Sequence, residues 1–363
     1  MEFPTNINDI IQRIYLINPK LYAKTRNYGN GAVSMLSPYI SRGVISTKQV
    51  YEYILSLGAS WNEIEKFVQE LAWRDYWQQV WIAKGEAIHT DLKNPQKQIS
   101  NFQIPRAITN ASTGVDAVDS AIETLYSSGY MHNHMRMYVA SICCNVARSH
   151  WLEPSRWLYA NLLDGDLASN QLSWQWVAGA FSNKKYYANQ DNINHFFRSS
   201  QKETFLDIDY SLFDKIEIPK TLRQTSPLKE NCHLPDLKNQ PHLKNEDSLI
   251  YNYYNLDPFW HKDGEFQRIL LLEPSIFKKH PVNSKCIDFA LRLSQNIPDI
   301  KIYVGEFGEL LNHISSEKIY FREHPLNIEY KGVEEPRDWL SNVSGYFPSF
   351  FSFWKKCKKE LVQ

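Results

Sequence analysis

Residues 64–83 read IEKFVQELAWRDYWQQVWIA. Apolar side chains recur there at three- and four-residue spacing, the period of a helix with one buried face. Ser60 stands before Trp61 and Glu63 as a candidate N-cap. Inside the run, Glu70, Trp73, Arg74 and Trp77 fall at i, i+3, i+4 and i+7 and therefore share a face. Two readings of that face stand side by side. It is a core stripe whose Glu and Arg pair locally, or it is a wall of indoles with polar handles, suited to a flat ligand or a flipped base.

The same periodicity extends outward. Val50–Leu57, Ala117–Ser128, Met135–Ser149 and Arg156–Leu163 carry it with few alternating runs, so residues 1–205 read as an all-α domain. Residues 206–265 change character: Pro219, Pro227, Pro235, Pro241 and Pro258 interrupt a polar stretch, read as an irregular connector. Residues 266–363 read as a small α/β domain. Gln267–Leu272, Lys301–Val304 and Lys318–Phe321 are strand candidates around a helix at Ser284–Gln295, and Tyr346–Leu361 ends as a Lys-rich amphipathic helix. Gly305 and Gly308 at a strand end mark no chromophore or nucleotide site, and a structural role is expected for this domain.

The chain has 363 residues, with 40 Lys+Arg balancing 40 Asp+Glu. Up to residue 200 the balance is 18 against 16, and beyond it 22 against 24. Neither part is a polycation, so a nucleic-acid site must be a local groove. Five cysteines without CxxC spacing argue against a disulfide framework or a closed zinc site, and a reducing cytoplasm is the expected location. The N-terminus lacks the pattern of a signal peptide, and no apolar run reaches the roughly 20 residues of a membrane span. Aromatic residues make up 14% of the chain, and eight of its 11 Trp precede residue 200. Most of these are expected in the core.

Two further clusters carry chemistry. Tyr130-Met-His132-Asn133-His134-Met-Arg136-Met137 puts Asn133, Arg136 and Met137 on one helix face ahead of an apolar run. Leu163-Asp164-Gly165-Asp166-Leu-Ala-Ser-Asn170-Gln-Leu-Ser173-Trp174-Gln-Trp176 places two acids, an amide and WQW within a short span. The acids lack the later ligands of a Ca²⁺ loop, so no metal is expected.

Together with Asn30-Gly-Ala-Val-Ser34-Met-Leu36-Ser37-Pro38-Tyr39, these segments resemble, in order and spacing, the FAD-binding domain of DNA photolyases and cryptochromes. The resemblance covers roughly residues 20–200. It implies an all-α FAD-binding domain of photolyase type followed by the small α/β domain. The family usually carries an α/β antenna domain in front, whereas this chain is expected to begin almost directly in the flavin domain. By position, the resemblance implies that Tyr22, Ser34, Leu36 and Ser37 bind the FAD phosphates and that Phe67 and Arg74 lie near the cofactor. Arg136 would pair with Asp164 across the flavin, Asp166 would meet its polar edge, and Asn170 would face N5. A neutral amide there accepts from the N–H of reduced flavin without adding charge. An Asp, found in plant photoreceptors of this superfamily, would suit a sensor.

On the lesion side, the resemblance implies Trp73 and Trp176 as stacking faces and Glu70 and Asn133 as hydrogen-bonding partners of the pyrimidines. Met137 would line the cavity, and Arg26 and His134 would face the DNA backbone. Trp174 and Trp151 match two members of a Trp chain that reduces the flavin, with no Trp at the third, outer position. Leu172-Ser173 stands where Gly-Gly is common, Val33 replaces a Thr, and His134 replaces an Arg. The implied activity is that of a carbon–carbon lyase, in which reduced FAD splits cyclobutane pyrimidine dimers in UV-damaged DNA under light. Asn133 favours that lesion over the (6-4) photoproduct. The neutral charge and the lost Arg favour single-stranded DNA. The alternative is a cryptochrome-like photoreceptor without repair activity. A redox flavoprotein unrelated to light is disfavoured by the lack of a recognisable NAD(P)H motif.

Overall fold

The computed structural model describes residues 2–229, 232–236 and 240–362. The connector reading at 230–231 and 237–239, and the terminal Met1 and Gln363 of the flanking ranges, lie outside the described residues. The chain forms two compact units, and neither is continuous in sequence. The first comprises residues 20–33 and the described part of 84–230; the second comprises 2–19, 34–83 and the described part of 231–363. A helical part and an α/β part are both present, but their borders do not fall at 205 and 266. The reason is packing: the apolar face of the long Trp61–Lys84 helix is covered by the C-terminal segment, so this helix joins the second unit.

In the first unit, helices run over Asp116–Ser128, Asn133–Ser141, Leu152–Asn161, Leu167–Ala178 and Gln190–Phe197. The Asp166 carboxylate opens the fourth of these by accepting from Ser169 N at 2.7 Å, the ordinary cap for otherwise unpaired N–H groups. Gly129 closes the first at φ 72°, where a Cβ would strike the Leu163 side chain. The continuous helix expected over 135–149 instead widens into a π turn at Ile142–Val146 and stops before Arg148, whose φ is 56°. Trp151, Trp157 and Trp174 sit in the core of this unit with Met135, Val139 and Leu158. Cys143 and Cys144 lie in the same core, and burial pushes both thiols up, away from the reactive thiolate.

The second unit is built on a five-stranded parallel sheet. Its strands are β1 (Ser248–Tyr251), β2 (Gln267–Leu272), β3 (Lys301–Val304), β4 (Ile319–Arg322) and β5 (Val333–Glu335). The spatial order is β3-β2-β1-β4-β5. Central β1 lies within the stretch read as an irregular connector, because a four-residue strand buried on both faces shows no alternation. The order reverses between β1 and β4, the position where sheets of this kind leave a crevice at their carboxyl ends. Side chains of the same unit pack there. Tyr254 stacks on His324 at 4.6 Å, Trp81 meets His324 edge-on at 5.1 Å, and Asn252 Nδ2 donates to Asn327 Oδ1 at 3.0 Å.

Ser349 caps the closing helix Phe350–Leu361, which lies along the Trp61–Lys84 helix. Phe350 stacks on Trp73, Trp354 lies parallel to Trp61 at 6.3 Å, and Lys358 Nζ reaches Glu65 Oε1 at 2.6 Å. Ahead of it, the buried Asp75 carboxylate accepts from Leu340 N at 2.7 Å and from Thr47 Oγ1 at 3.1 Å. No helix among the described residues is long and apolar enough to cross a membrane.

Candidate functional site

The expected site residues are divided between the two units, and each set has its own geometry. In the first unit the centre is Arg136 with Asp164. Arg136 Nη2 reaches both carboxylate oxygens, at 2.8 and 3.0 Å, while its Nε donates to Met131 O at 2.8 Å. The Asp164 side chain is only 3% exposed. A carboxylate this deeply buried stays charged only when it keeps its partner and hydrogen bonds, here the half-buried Arg136. The loop holding Asp164 needs Gly165, because a Cβ there would come within 2.9 Å of Tyr159 O and 3.0 Å of Leu162 O.

Four residues past the Asp166 cap, Asn170 Nδ2 donates to Ser155 O at 2.8 Å. Only the NH₂ end of an amide can make that bond, so Asn170 Oδ1 is the end available to accept. Next to it, Ser169 Oγ is buried without a hydrogen-bond partner. A buried hydroxyl in that condition is costly unless something polar completes it. An acceptor amide, a polar rim with one uncompleted hydroxyl and a fixed guanidinium–carboxylate pair fit the mixed donor–acceptor edge of a flavin.

One and two turns further along, Trp174 is buried in the core, whereas Trp176 is 38% exposed and lies 5.8 Å from Tyr186. Asn133 is exposed at the first turn of the Asn133–Ser141 helix, and Met137 is half-buried against the core. His134 is half-buried among Phe196 and Tyr138, and its Nδ1 bonds Asn27 O at 2.9 Å. Desolvation lowers its pKa, so it carries no standing positive charge near neutrality. His132 is pushed down to about 4, by burial first and then by His134 and Arg136. Tyr22 and Arg26 are half-buried at the Pro19–Thr25 helix, where Arg26 Nη1 donates to Ala23 O at 2.8 Å.

In the second unit, Ser34 precedes the short Ser37–Ser41 helix, and buried Leu36 is its capping residue. Arg74 donates to Ser41 Oγ, Phe67 is buried, and Glu70 pairs with Lys66 at 3.2 Å. Trp73 has one indole face against Phe350 at 3.7 Å, with Trp77 at 5.1 Å. The sequence reading missed that contact, since the partners lie far apart in sequence and share no motif. It also missed Asp91, whose carboxylate accepts from Trp151 Nε1 at 2.6 Å.

The first unit thus combines a guanidinium–carboxylate pair, an amide with its N–H committed and an uncompleted hydroxyl with a tryptophan-rich core. Residues 67–207 match the family model described as the FAD binding domain of DNA photolyase, so this stretch of the chain is similar to that domain. A deoxyribodipyrimidine photo-lyase of Streptomyces griseus is 36% identical over 149 residues, covering 41% of this chain and 32% of that one. One from Alkalihalophilus pseudofirmus is 31% identical over 148 residues, covering 40% of this chain and 31% of its own length. The chain thus spans about a third of the length of these curated relatives. Among solved structures, a class III photolyase from Agrobacterium tumefaciens is similar at 29% identity and a TM-score of 0.43, over 48% of this chain and 37% of that one. A Synechocystis cryptochrome is similar at 24% identity and a TM-score of 0.48, over 54% and 44% respectively.

Proposed function

We propose that this chain binds FAD and uses light to split cyclobutane pyrimidine dimers in UV-damaged DNA. The observation that carries the reading is the buried Arg136–Asp164 pair beside Asn170, whose amide N–H is committed and whose carbonyl is left to accept. When bound, reduced FAD supplies one-electron donation under blue light, and the electron returns once the cyclobutane C–C bonds have opened.

The residues of the chain supply orientation and electrostatics. Asn170 Oδ1 accepts an N–H without introducing charge, the Arg136 guanidinium stays cationic on its Asp164 partner, and Asp166 meets the polar edge. Tyr22, Ser34, Leu36 and Ser37 bind phosphate through hydroxyls and backbone N–H groups, with Phe67 and Arg74 nearby. Glu70 and Asn133 hydrogen-bond the pyrimidine carbonyls, and Met137 lines the cavity. Extruding the lesion costs a few kcal/mol. Stacking on Trp176 and Trp73, at roughly 1–3 kcal/mol per base, offsets that cost. Arg26 and His134 are the backbone contacts. Desolvation lowers the His134 pKa, which weakens its electrostatic hold on a duplex and supports single-stranded DNA as the preferred form, while five cysteines without CxxC spacing support a reducing, cytoplasmic setting.

The test is blue-light repair of a thymine-dimer oligonucleotide, single- and double-stranded, by chemically reduced protein with a dark control. Light-dependent loss of the dimer is expected, faster on the single strand. Equal rates would overturn the strand preference, and fully reduced flavin without repair would overturn the lyase. One observation favours the second reading, a photoreceptor without repair: Phe350 already occupies an indole face of Trp73.

A further inference from the structure

We propose that Asp91 is the proton acceptor of Trp151, so that an electron drawn from Trp151 leaves a neutral indolyl radical. The inference rests on the flavin reading above, in which Trp174 and Trp151 deliver electrons to the cofactor. It answers a difficulty within that reading, namely that the chain of indoles stops one member short of the surface.

Trp151 is fully buried, and its Nε1–H points at Asp91 Oδ1 across 2.6 Å. This is shorter than the usual 2.9–3.0 Å of N–H···O bonds and matches a charge-assisted one. Trp157 in the same unit donates instead to a neutral hydroxyl, Tyr126 Oη, at 3.0 Å. Asp91 is held for the task. Its Oδ2 accepts from Gln96 N at 2.9 Å, and the Gln96 side chain bridges Trp151 N at 2.9 Å and Ser149 O at 2.8 Å. His150 Nε2 lies 3.5 Å from Asp91 Oδ1, its ring is 5.5 Å from that of Trp151, and it stacks at 5.4 Å on Phe102, which is 68% exposed. His150 Nδ1 accepts from Leu152 N at 3.3 Å, so its Nε2–H faces Asp91, and the indole, its base and a second donor to that base are in one place.

The step balances. An electron leaves Trp151 to refill Trp174, whose own electron has gone to photoexcited oxidised flavin. Loss of that electron makes Nε1–H a strong acid. The proton crosses to Asp91 Oδ1, giving a neutral Trp151 radical and a carboxylic acid, where the proton stays until the radical is reduced. An external thiolate later returns one electron to Trp151, and Asp91 gives the proton back. Charge recombination now needs a proton as well as an electron, so it slows. A chain ending at a buried indole can then hold its charge separation without an outer Trp.

The experiment uses the FAD-loaded chain, a blue flash, and the separate visible bands of the tryptophan radical cation and neutral radical. Wild type is expected to show the neutral radical, appearing more slowly in D₂O. Asp91→Asn should retain the cation and speed recombination by about a hundredfold, the low end of what a positioned proton acceptor contributes. Asp91→Glu should restore the neutral radical, which excludes a folding defect as the cause. In flavin-free protein, the Trp151 indole N–H resonance, identified by its loss in Trp151→Phe, should lie far downfield and move upfield in Asp91→Asn. The proposal is overturned by a persistent cation in wild type, by unchanged recombination in Asp91→Asn, or by an unmoved resonance. If wild type shows no flavin photoreduction, or Trp174→Phe leaves it intact, the electron route fails and takes the proposal with it. A photoreducing wild type matched by Asp91→Asn sinks the proposal alone.

Discussion

Phe350 lies face to face with Trp73, ring centroids 3.7 Å apart and planes 9° from parallel. The contact ties the C-terminal helix to the very indole expected to stack on a damaged base. One ring thus closes the second unit and covers an indole face proposed for recognition.

Phe350→Ala separates the two. Removing a buried phenyl costs about 3–5 kcal/mol through lost burial and the cavity left behind, read as a lower denaturant midpoint. The same change bares Trp73, so affinity for a dimer-containing oligonucleotide should rise in the folded fraction. Unchanged affinity at reduced stability would make the stack purely structural.

Asp164→Asn leaves the half-buried Arg136 without its counter-charge. Breaking a buried pair by removing one partner costs roughly 3–5 kcal/mol. Thermal unfolding of flavin-free protein should shift accordingly, and flavin absorbance after gel filtration should fall. Loss of flavin with unchanged unfolding would place the pair in binding alone.

Trp176→Ala should behave in the opposite way. With 38% of its surface exposed, its removal disturbs the core little. Stacking of about 1–3 kcal/mol per base means that lesion affinity should drop about fivefold to 150-fold while the unfolding midpoint hardly moves.

Burial raises Asp75 from 3.8 to about 6, against the lowering effect of Leu340 N, Thr47, Arg337 and Arg74. The folded state binds this proton more tightly than the unfolded chain, so the contribution to stability falls as pH rises from about 4 to 6 and stays lost above that. Asp75→Asn should flatten the slope, and the wild-type-minus-variant difference should change by about 3 kcal/mol across the window, at 1.36 kcal/mol per unit. A difference that is level with pH would mean that Asp75 ionises freely.

Much of the local structure was legible. Strand Gln267–Leu272, the helix expected over 284–295 and found at Ser284–Ser294, and the long helix around residues 64–83 follow from period and composition, which act over a few neighbouring residues. The clusters 130–137 and 163–176 carried the resemblance to the FAD-binding domain of photolyases and cryptochromes through the order and spacing of their residues. Strand Ser248–Tyr251 was not legible, being short and buried on both faces.

By itself, the sequence determined the helix-rich character of the first 200 residues, the α/β character of the last hundred, and the grouping of acid, amide and indole that points to a flavin. Only the tertiary structure decided that residues 34–83 pack with the C-terminal part, that Phe350 covers Trp73 and that Asp91 meets Trp151. Each of these joins residues dozens to hundreds of positions apart. Such pairings arise from the burial of whole faces and the pairing of lone polar atoms, which no local periodicity encodes.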